Sequence, residues 1–338
     1  PPPPFSSRRR HTRFLHRSRG LGDVYKRQIL TAMQLLLPEL GVRRENTVFI
    51  SGIGCAARFP YYMNTYGMHS IHGRAPAFAT GLAMARPDLD IWVVGGDGDM
   101  LSIGGNHLIH ALRRNVNLNV LLFNNMIYGL TKGQYSPTSE IGKVTKSSPM
   151  GSVAEPFNAV SVALGAEASF VARTHDMDRK HMQEMFRRAH EHRGASFVEV
   201  FQNCNVFNDG AFDQISKRAN REAMLISLEH GAPIRFGADH ERGVAIDAHG
   251  EAHIVNAADV GEDALVVHDE HRANPAVAFA LSRLATGPTE PTPIGVFRAS
   301  DRPEYAAAAA AQVDRAVSTA TDRSLHGLLR SNPTWEVT

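Results

Sequence analysis

The stretch Ile91-Trp-Val-Val-Gly-Gly-Asp-Gly-Asp-Met100, answered at Leu118-Asn-Val-Leu-Leu-Phe-Asn-Asn125, restricts the possible folds more than any other part of the chain. Residues 91–94 are apolar and rich in β-branched side chains, the composition of a buried parallel strand. The run ends in Gly95-Gly96, where the backbone can turn tightly and approach a ligand without a Cβ in the way. Asp97, Gly98 and Asp99 follow, and a helix is expected from Gly104 to Arg114. A strand, a glycine turn bearing a carboxylate and then a helix is how an open α/β sheet presents a ligand at its carboxyl edge. A second apolar strand, 120–123, ends in Asn124-Asn125. The 25 residues between Gly98 and Asn124 suffice for one crossover helix and a return strand. Asp97 and Asn125 should therefore end neighbouring parallel strands and face one crevice.

Two hard oxygen donors beside phosphate oxygens suit Mg²⁺. Gly-Asp-Gly followed at this spacing by Asn-Asn resembles the thiamine-diphosphate motif, and both halves are complete. A surface turn and an unrelated loop would not both end β-like runs. A Rossmann dinucleotide site fails in detail, because counting G-x-G-x-x-G from Gly96 puts its third glycine on Leu101.

The 338 residues are 43% hydrophobic and 21% charged, ordinary globular values with length for one large or two modest domains. Residues 1–28 stand apart: Pro/Arg/Ser-rich, without apolar periodicity, and carrying eight Lys/Arg against one acid. With a whole-chain charge of +2 and +7 in that segment, the rest carries −5, which gives no reason to expect nucleic acid. A frame or assembly artefact, an organelle transit segment and a basic interaction arm all fit residues 1–28. The first is favoured, so the segment is read as non-native or disordered and left out of the fold. No apolar run reaches the roughly 18 residues of a membrane helix, and no secretory apolar region is present. Cys55 and Cys204 lie far apart in a chain that reads as cytoplasmic, so thiols or metal ligands are expected over a disulfide.

Helices are expected at 29–40, 75–86, 157–164 and 178–192, with strands at 47–50, 170–173 and 196–201. The last helix should bury Met182, Met185, Phe186 and Ala189, spaced for core packing. This alternation predicts an α/β fold, a doubly wound and mainly parallel sheet, over residues 29–215. The long polar loop 126–151, next to Asn125, is expected to be functional. Residues 216–338 are read as a C-terminal α+β extension: a helix over 211–230, a hairpin about His249-Gly250, a strand at 264–268, a helix at 274–284, a Pro/Thr linker at 286–293 and an Ala-rich helix at 305–329. The cluster His268-Asp-Glu-His271 suits a solvated charged turn better than a metal site.

The resemblance extends beyond the diphosphate motif. Ser51-Gly-Ile-Gly-Cys-Ala-Ala-Arg-Phe-Pro-Tyr-Tyr62, His72-Gly-Arg-Ala75, Gly96-Asp-Gly-Asp99, Asn125-Met-Ile-Tyr-Gly-Leu-Thr-Lys-Gly-Gln134 and Gln202-Asn-Cys-Asn205 are similar to the β subunits of 2-oxoacid:ferredoxin oxidoreductases, the 2-oxoglutarate type above all. The resemblance implies that Asp97, Asn125 and the carbonyl of Ile127 bind Mg²⁺. It implies that Ile53, Gly54, Cys55, Ala56, His72, Gly96, Gly98, Asp99, Gly129, Leu130 and Thr131 hold thiamine diphosphate. Arg58 would face the substrate carboxylate, a use suited to a guanidinium fork, although a surface ion pair is the plainer reading.

Cys55 and Cys204 take the positions of two ligands of a [4Fe-4S] cluster, which needs four thiolates. The family supplies the other two from a Cys-Pro-Gly-Cys-Gly-Asp segment before the first helix. Here Arg19-Gly-Leu-Gly-Asp-Val-Tyr25 stands in that place, without cysteine. The departure coincides with the segment set apart by composition, and the cluster's ligand set is incomplete in this chain.

The implied reaction is oxidative decarboxylation of a 2-oxoacid, 2-oxoglutarate favoured, to acyl-coenzyme A with reduction of ferredoxin. The implied partner is an α subunit, because a body of this size with one such fold has no room for the domain that activates the aminopyrimidine. A non-oxidative thiamine enzyme and a non-enzymatic binding module are the alternatives. The two cysteines and the missing second domain weigh against the first, the acidic body against the second.

Overall fold

The two apolar runs around the glycine turn form adjacent parallel strands, and the sheet extends outward from them. The computed structural model describes residues 23–285, 287–320, 322–333 and 335. Helix α1 (Asp23–Glu39) leads to β1 (Thr47–Ser51), then β2 (Tyr66–His69) and α2 (Ala75–Ala85). The glycine-turn strand is β3 (Asp90–Gly96), α3 (Gly105–Arg114) crosses over, and β4 (Leu118–Asn124) returns. Helix α4 (Ala159–Gly165), β5 (Phe170–His175), α5 (Arg179–Glu191) and β6 (Ala195–Phe201) continue the alternation. Two later strands, β7 (Leu225–Leu228) and β11 (Thr292–Ala299), complete eight in the order β2-β1-β3-β4-β6-β5-β11-β7. β3 pairs in parallel with β1 on one side and β4 on the other, so their carboxyl ends share one edge.

Alternation along β3 sends successive side chains to opposite faces. Trp92 and Val94 enter one apolar layer with Ile29, Met33 and Leu36 of α1 and with Met182, Met185, Phe186 and Ala189 of α5. Ile91 and Val93 enter the other, against Ala79 of α2 and Leu108 and Leu112 of α3. Trp92 is fully buried, stacked on Phe49 with ring centroids 6.2 Å apart and met edge-on by Phe186 at 6.4 Å. Burying side chains of this size contributes roughly 1.5–3 kcal/mol each. The doubly wound sheet and the apolar face of α5 are as the sequence predicts.

Beyond residue 201 the structure departs from the sequence reading. The helix expected over 211–230 is two single turns, Asp213–Ser216 and Arg221–Met224, followed by β7. The expected linker is succeeded at once by β11, whose Pro293 and Gly295 disguise a buried strand. Pro293 lacks an amide hydrogen and Gly295 adopts φ 112°, yet Ile294, Val296 and Phe297 are buried. β11 runs antiparallel to β5 and parallel to β7. The expected boundary near residue 215 therefore does not divide the sheet.

The hairpin forms as expected: β9 (Arg242–Ile246) and β10 (Ala252–Asn256) join β8 (Arg235–Phe236) in a small antiparallel sheet. The strand expected at 264–268 is reduced to a bridge between Pro233 and Val267. Helix α6 (Ala276–Ser282) follows, and the Ala-rich helix is interrupted, with α7 (Tyr305–Thr319) and α8 (Leu325–Leu329) as its parts. At the other end α1 starts at Asp23, so residues 23–28 are helical; residues 1–22, the bulk of the segment set apart by composition, lie outside the described residues. Among the described residues no helix is long and apolar enough to cross a membrane.

Candidate cofactor site

β3 carries Asp97 to the carboxyl edge of the sheet, and the chain then makes a wide π-helical turn, Asp99–Ile103, before α3. Ser102 leaves helical geometry there (φ −91°, ψ −107°), an irregularity of the kind found at ligand sites. Gly98 is required by close approach: a Cβ would overlap the ring of Tyr128, whose hydroxyl donates to the Gly98 carbonyl at 3.1 Å. β4 carries Asn124 and Asn125 to the same edge. Met126 then adopts φ 54°, a left-handed conformation unfavourable for its side chain. That turn lets Asn125 Oδ1 accept from the amide of Ile127 at 3.3 Å.

Between these turns lies a cavity of about 450 Å³. Ile53, Gly54, Cys55, Ala56, His72, Gly96, Asp97, Gly98, Asp99, Asn125, Ile127, Gly129, Leu130 and Thr131 all line it, with Tyr128 and Gln134 beside them. Arg58 does not; it is exposed on the short helix Ala56–Tyr62 that leaves the rim at Cys55. Cys204 lies outside the lining too, but its turn is tied to the loop that follows β4. Asn208, whose amide donates to the Cys204 carbonyl, donates from Nδ2 to the Asn125 carbonyl at 3.0 Å. A Cβ on Gly129 would meet the Cys55 thiol at 3.3 Å and the ring of Phe207 at 3.9 Å. Both cysteines are free.

The acids of the glycine turn differ in their surroundings. Asp97 is 2% exposed, and burial holds its carboxyl above the usual carboxylate range against the hydroxyls of Ser136 and Thr138. Thr138 donates to Oδ2 at 2.7 Å. The set of Asp97 carboxylate, Asn125 amide oxygen and Ile127 carbonyl is all oxygen, which fits Mg²⁺, and a cation would offset the buried negative charge. Asp99 also is raised by burial, opposed by the amides of Gly73 and Ile53 and by His72. Its Oδ1 accepts from Gly73 at 2.7 Å and Ile53 at 3.1 Å, with His72 Nδ1 at 2.7 Å. A Cβ on Gly52 would collide with that carboxylate. Asp99 thus ties the loops after β1 and before α2 to the glycine turn.

A line of buried polar groups that sequence reasoning missed supports Asp97 from behind. The Thr138 hydroxyl also lies 2.9 Å from Asn124 Oδ1; Asn124 Nδ2 donates to Glu199 Oε1 at 2.8 Å; Arg173 Nε donates to Glu199 Oε2 at 2.7 Å. The Arg173 and Glu199 side chains are 4% and 2% exposed. A smaller cavity of about 30 Å³, room for a water molecule, abuts Asn124, Thr138, Arg173 and Glu199. The sequence held a signal for this: one arginine and one glutamate that interrupt the apolar runs Phe170-Val-Ala-Arg173 and Phe197-Val-Glu-Val-Phe201.

A family model for the C-terminal TPP-binding domain of thiamine pyrophosphate enzymes matches residues 52–200. Over 320 residues the chain is 57% identical to the 2-oxoglutarate oxidoreductase subunit KorB of Mycobacterium tuberculosis, covering 94% of this chain and 84% of that one. It is 44% identical over 183 residues to the 2-oxoacid:ferredoxin oxidoreductase subunit beta of a Sulfolobus species, covering 54% of this chain and 60% of that one. Against the archaeal relative the match thus spans three fifths of the partner's length. Among solved structures, the 2-oxoglutarate:ferredoxin oxidoreductase from Magnetococcus marinus, with 2-oxoglutarate, coenzyme A and succinyl-CoA bound, aligns with a TM-score of 0.71 at 31% identity, over 91% of this chain and 90% of that chain.

Proposed function

The chain belongs to the β subunits of the 2-oxoacid:ferredoxin oxidoreductases, and on that premise we propose that its crevice holds thiamine diphosphate through Mg²⁺ for the oxidative decarboxylation of 2-oxoglutarate to an acyl-coenzyme A. The observation that carries this reading is the meeting of Asp97 and Asn125, from the ends of adjacent parallel strands, on one cavity. The preference for 2-oxoglutarate follows the mycobacterial relative and the Magnetococcus enzyme, whose names specify it.

The residues divide the work by chemistry. Asp97, Asn125 and the Ile127 carbonyl hold the cation, and the backbone of the glycine turn and of residues 129–131 faces the diphosphate. Asp99 fixes the loops that form the wall. The apolar parts of Ile53, Ala56 and Leu130 keep water from the rings. Bound thiamine diphosphate supplies the nucleophilic carbon and the electron sink that let CO₂ leave. Arg58, at the rim, reaches for the carboxylate of the substrate. The acid that activates the aminopyrimidine comes from an α subunit, and coenzyme A and ferredoxin meet the assembled enzyme, in the cytoplasm.

Cys55 and Cys204 are two thiols where a [4Fe-4S] cluster takes four. The residues present supply only half of the thiolates of such a cluster and do not fit it complete. The test is co-purification with an α subunit and assay of coenzyme A-dependent ferredoxin reduction by 2-oxoglutarate, with a Cys-x-x-Cys segment placed ahead of α1. Turnover only in that combination supports the reading; full activity of the isolated chain overturns it.

A further inference from the structure

We propose that His230, Glu270 and His271 form a second metal site, for a divalent transition ion of the Zn²⁺ class, at the opposite flank of the sheet from the cofactor crevice. The sequence favours a solvated turn over residues 268–271, yet Glu270 is only 4% exposed. The turn after β7 brings His230 to it. Backbone bonds clamp the two segments: Gly231 donates to His268 O at 2.8 Å, His268 to Ala232 O at 3.0 Å, and Ala299, at the end of β11, to Glu270 O at 2.7 Å.

One potential ligand atom from each of His230, Glu270 and His271 lies within 4.8 Å of the other two. Around a tetrahedral ion with bonds near ~2.1 Å, ligands stand about 3.4 Å apart, so closing the site takes side-chain shifts on the order of 1 Å. His271 is already oriented for the task. Its Nδ1 lies 2.7 Å from the Ala299 carbonyl and donates to it, which leaves the lone pair on Nε2, 3.4 Å from Glu270 Oε1. A ring nitrogen donating to a backbone carbonyl while the other faces the ion is how ligating histidines are held.

Glu270 supplies the second observation. Its Oε1 accepts from Arg188 at 2.5 Å, but Oε2 is buried without a hydrogen-bond partner among the described residues. An unpaired buried carboxylate oxygen is costly, and a cation would satisfy it. The His230 ring packs edge-on to His271, centroids 4.8 Å apart, with Nδ1 3.7 Å from Asp269 Oδ1. Asp269 or water would complete four ligands. Two imidazoles and a carboxylate suit Zn²⁺, Ni²⁺ or Co²⁺ and disfavour Mg²⁺ and Ca²⁺. Because, among the described residues, β7 is held in the large sheet by β11 alone, the ion would fasten the turn that leaves that edge strand.

The test uses the full chain, chelator-treated and kept in excess Mg²⁺, titrated calorimetrically with ZnCl₂ and followed by thermal unfolding. His230→Ala and His271→Ala each remove one ligand; His230 is half-exposed, so its loss should leave the metal-free melting temperature unchanged. The expected result is one Zn²⁺ equivalent lost or weakened at least about 100-fold in both variants, going by the 10–100-fold effect of supporting groups alone. A Zn²⁺-induced rise in melting temperature should be present in the parent and absent in both. Co²⁺ should give visible bands without thiolate charge transfer, which separates this site from Cys55 and Cys204. Equal stoichiometry and affinity in the parent and the two variants, or no Zn²⁺ bound by the parent, overturns the proposal.

Discussion

Thr138 hydrogen-bonds the Asp97 carboxylate, its hydroxyl oxygen 2.7 Å from Oδ2. A hydroxyl has one proton, and Asn124 Oδ1 at 2.9 Å competes for it, so how firmly Thr138 holds the carboxylate depends on Asn124. Thr138→Val keeps the shape and removes the donor. Hydrogen bonds to charged groups are worth about 1.5–3 kcal/mol, so Mg²⁺-dependent thiamine diphosphate affinity should fall roughly 10- to 100-fold by calorimetry. Thr138→Ser should restore most of it. Equal affinity in all three proteins would show that Thr138 only packs.

Asp97→Asn and Asn125→Ala test the proposed cation site directly. Each should abolish the Mg²⁺-dependent part of thiamine diphosphate binding while leaving the far-ultraviolet circular dichroism unchanged. An affinity equal to that of the parent, measured with and without Mg²⁺, removes these residues from the metal.

Glu199→Gln leaves Arg173 buried with its charge uncompensated. Losing one partner of a buried pair costs about 3–5 kcal/mol, so the urea midpoint should fall sharply at neutral pH. A change below about 1 kcal/mol would mean that water reaches the pair.

Gly98→Ala sets a methyl group against the Tyr128 ring. Overpacking of this kind costs about 1–3 kcal/mol. In Gly98→Ala/Tyr128→Ala the clash is gone, so the double variant should be more stable than the sum of the single effects predicts. Additive losses would place the strain elsewhere.

Asp176 and His175 give the stability a pH dependence. Burial pushes the Asp176 carboxyl up to about 7 and the His175 ring down to about 4, the latter helped by Arg221. Between 3.8 and about 7 the folded chain binds a proton at Asp176 that the unfolded chain does not, so this group makes stability fall as pH rises. Between about 4 and 6.5 the unfolded chain binds the extra proton at the histidine, so His175 makes stability rise with pH. The slopes oppose each other up to pH 6.5, and above it the aspartate's alone remains. In Asp176→Asn, stability measured by urea unfolding should climb from pH 4 to 6.5 and lose the decline toward pH 7. A profile parallel to the parent's would put the titration on another group.

What could be read from the sequence was what periodicity and glycine spacing encode. The unbroken apolar runs at 91–94 and 120–123 mark strands buried on both faces, and the pairing of Asp97 with Asn125 needs only the count of residues between them. The supports were hidden because they depend on distant partners: Thr138 and Asn208 are small polar residues in loops, with nothing local to mark them. β11 was hidden for a different reason, since Pro293 and Gly295 oppose strand formation locally and the neighbouring strands override them. Arg58, assigned by resemblance, is exposed on the helix that follows Cys55, outside the lining.

The position of β11 has a consequence for how the chain matures. It lies between β5 and β7, so the strand at 225–228 has no sheet neighbour until residues 292–299 exist. On the ribosome, an emerging chain would carry a bare edge along β5 and a stranded segment at β7 through the synthesis of the whole hairpin sheet, an interval in which rival chains could pair with that edge. A stop codon between residues 229 and 292 would make that interval permanent, and insoluble protein is the outcome to expect.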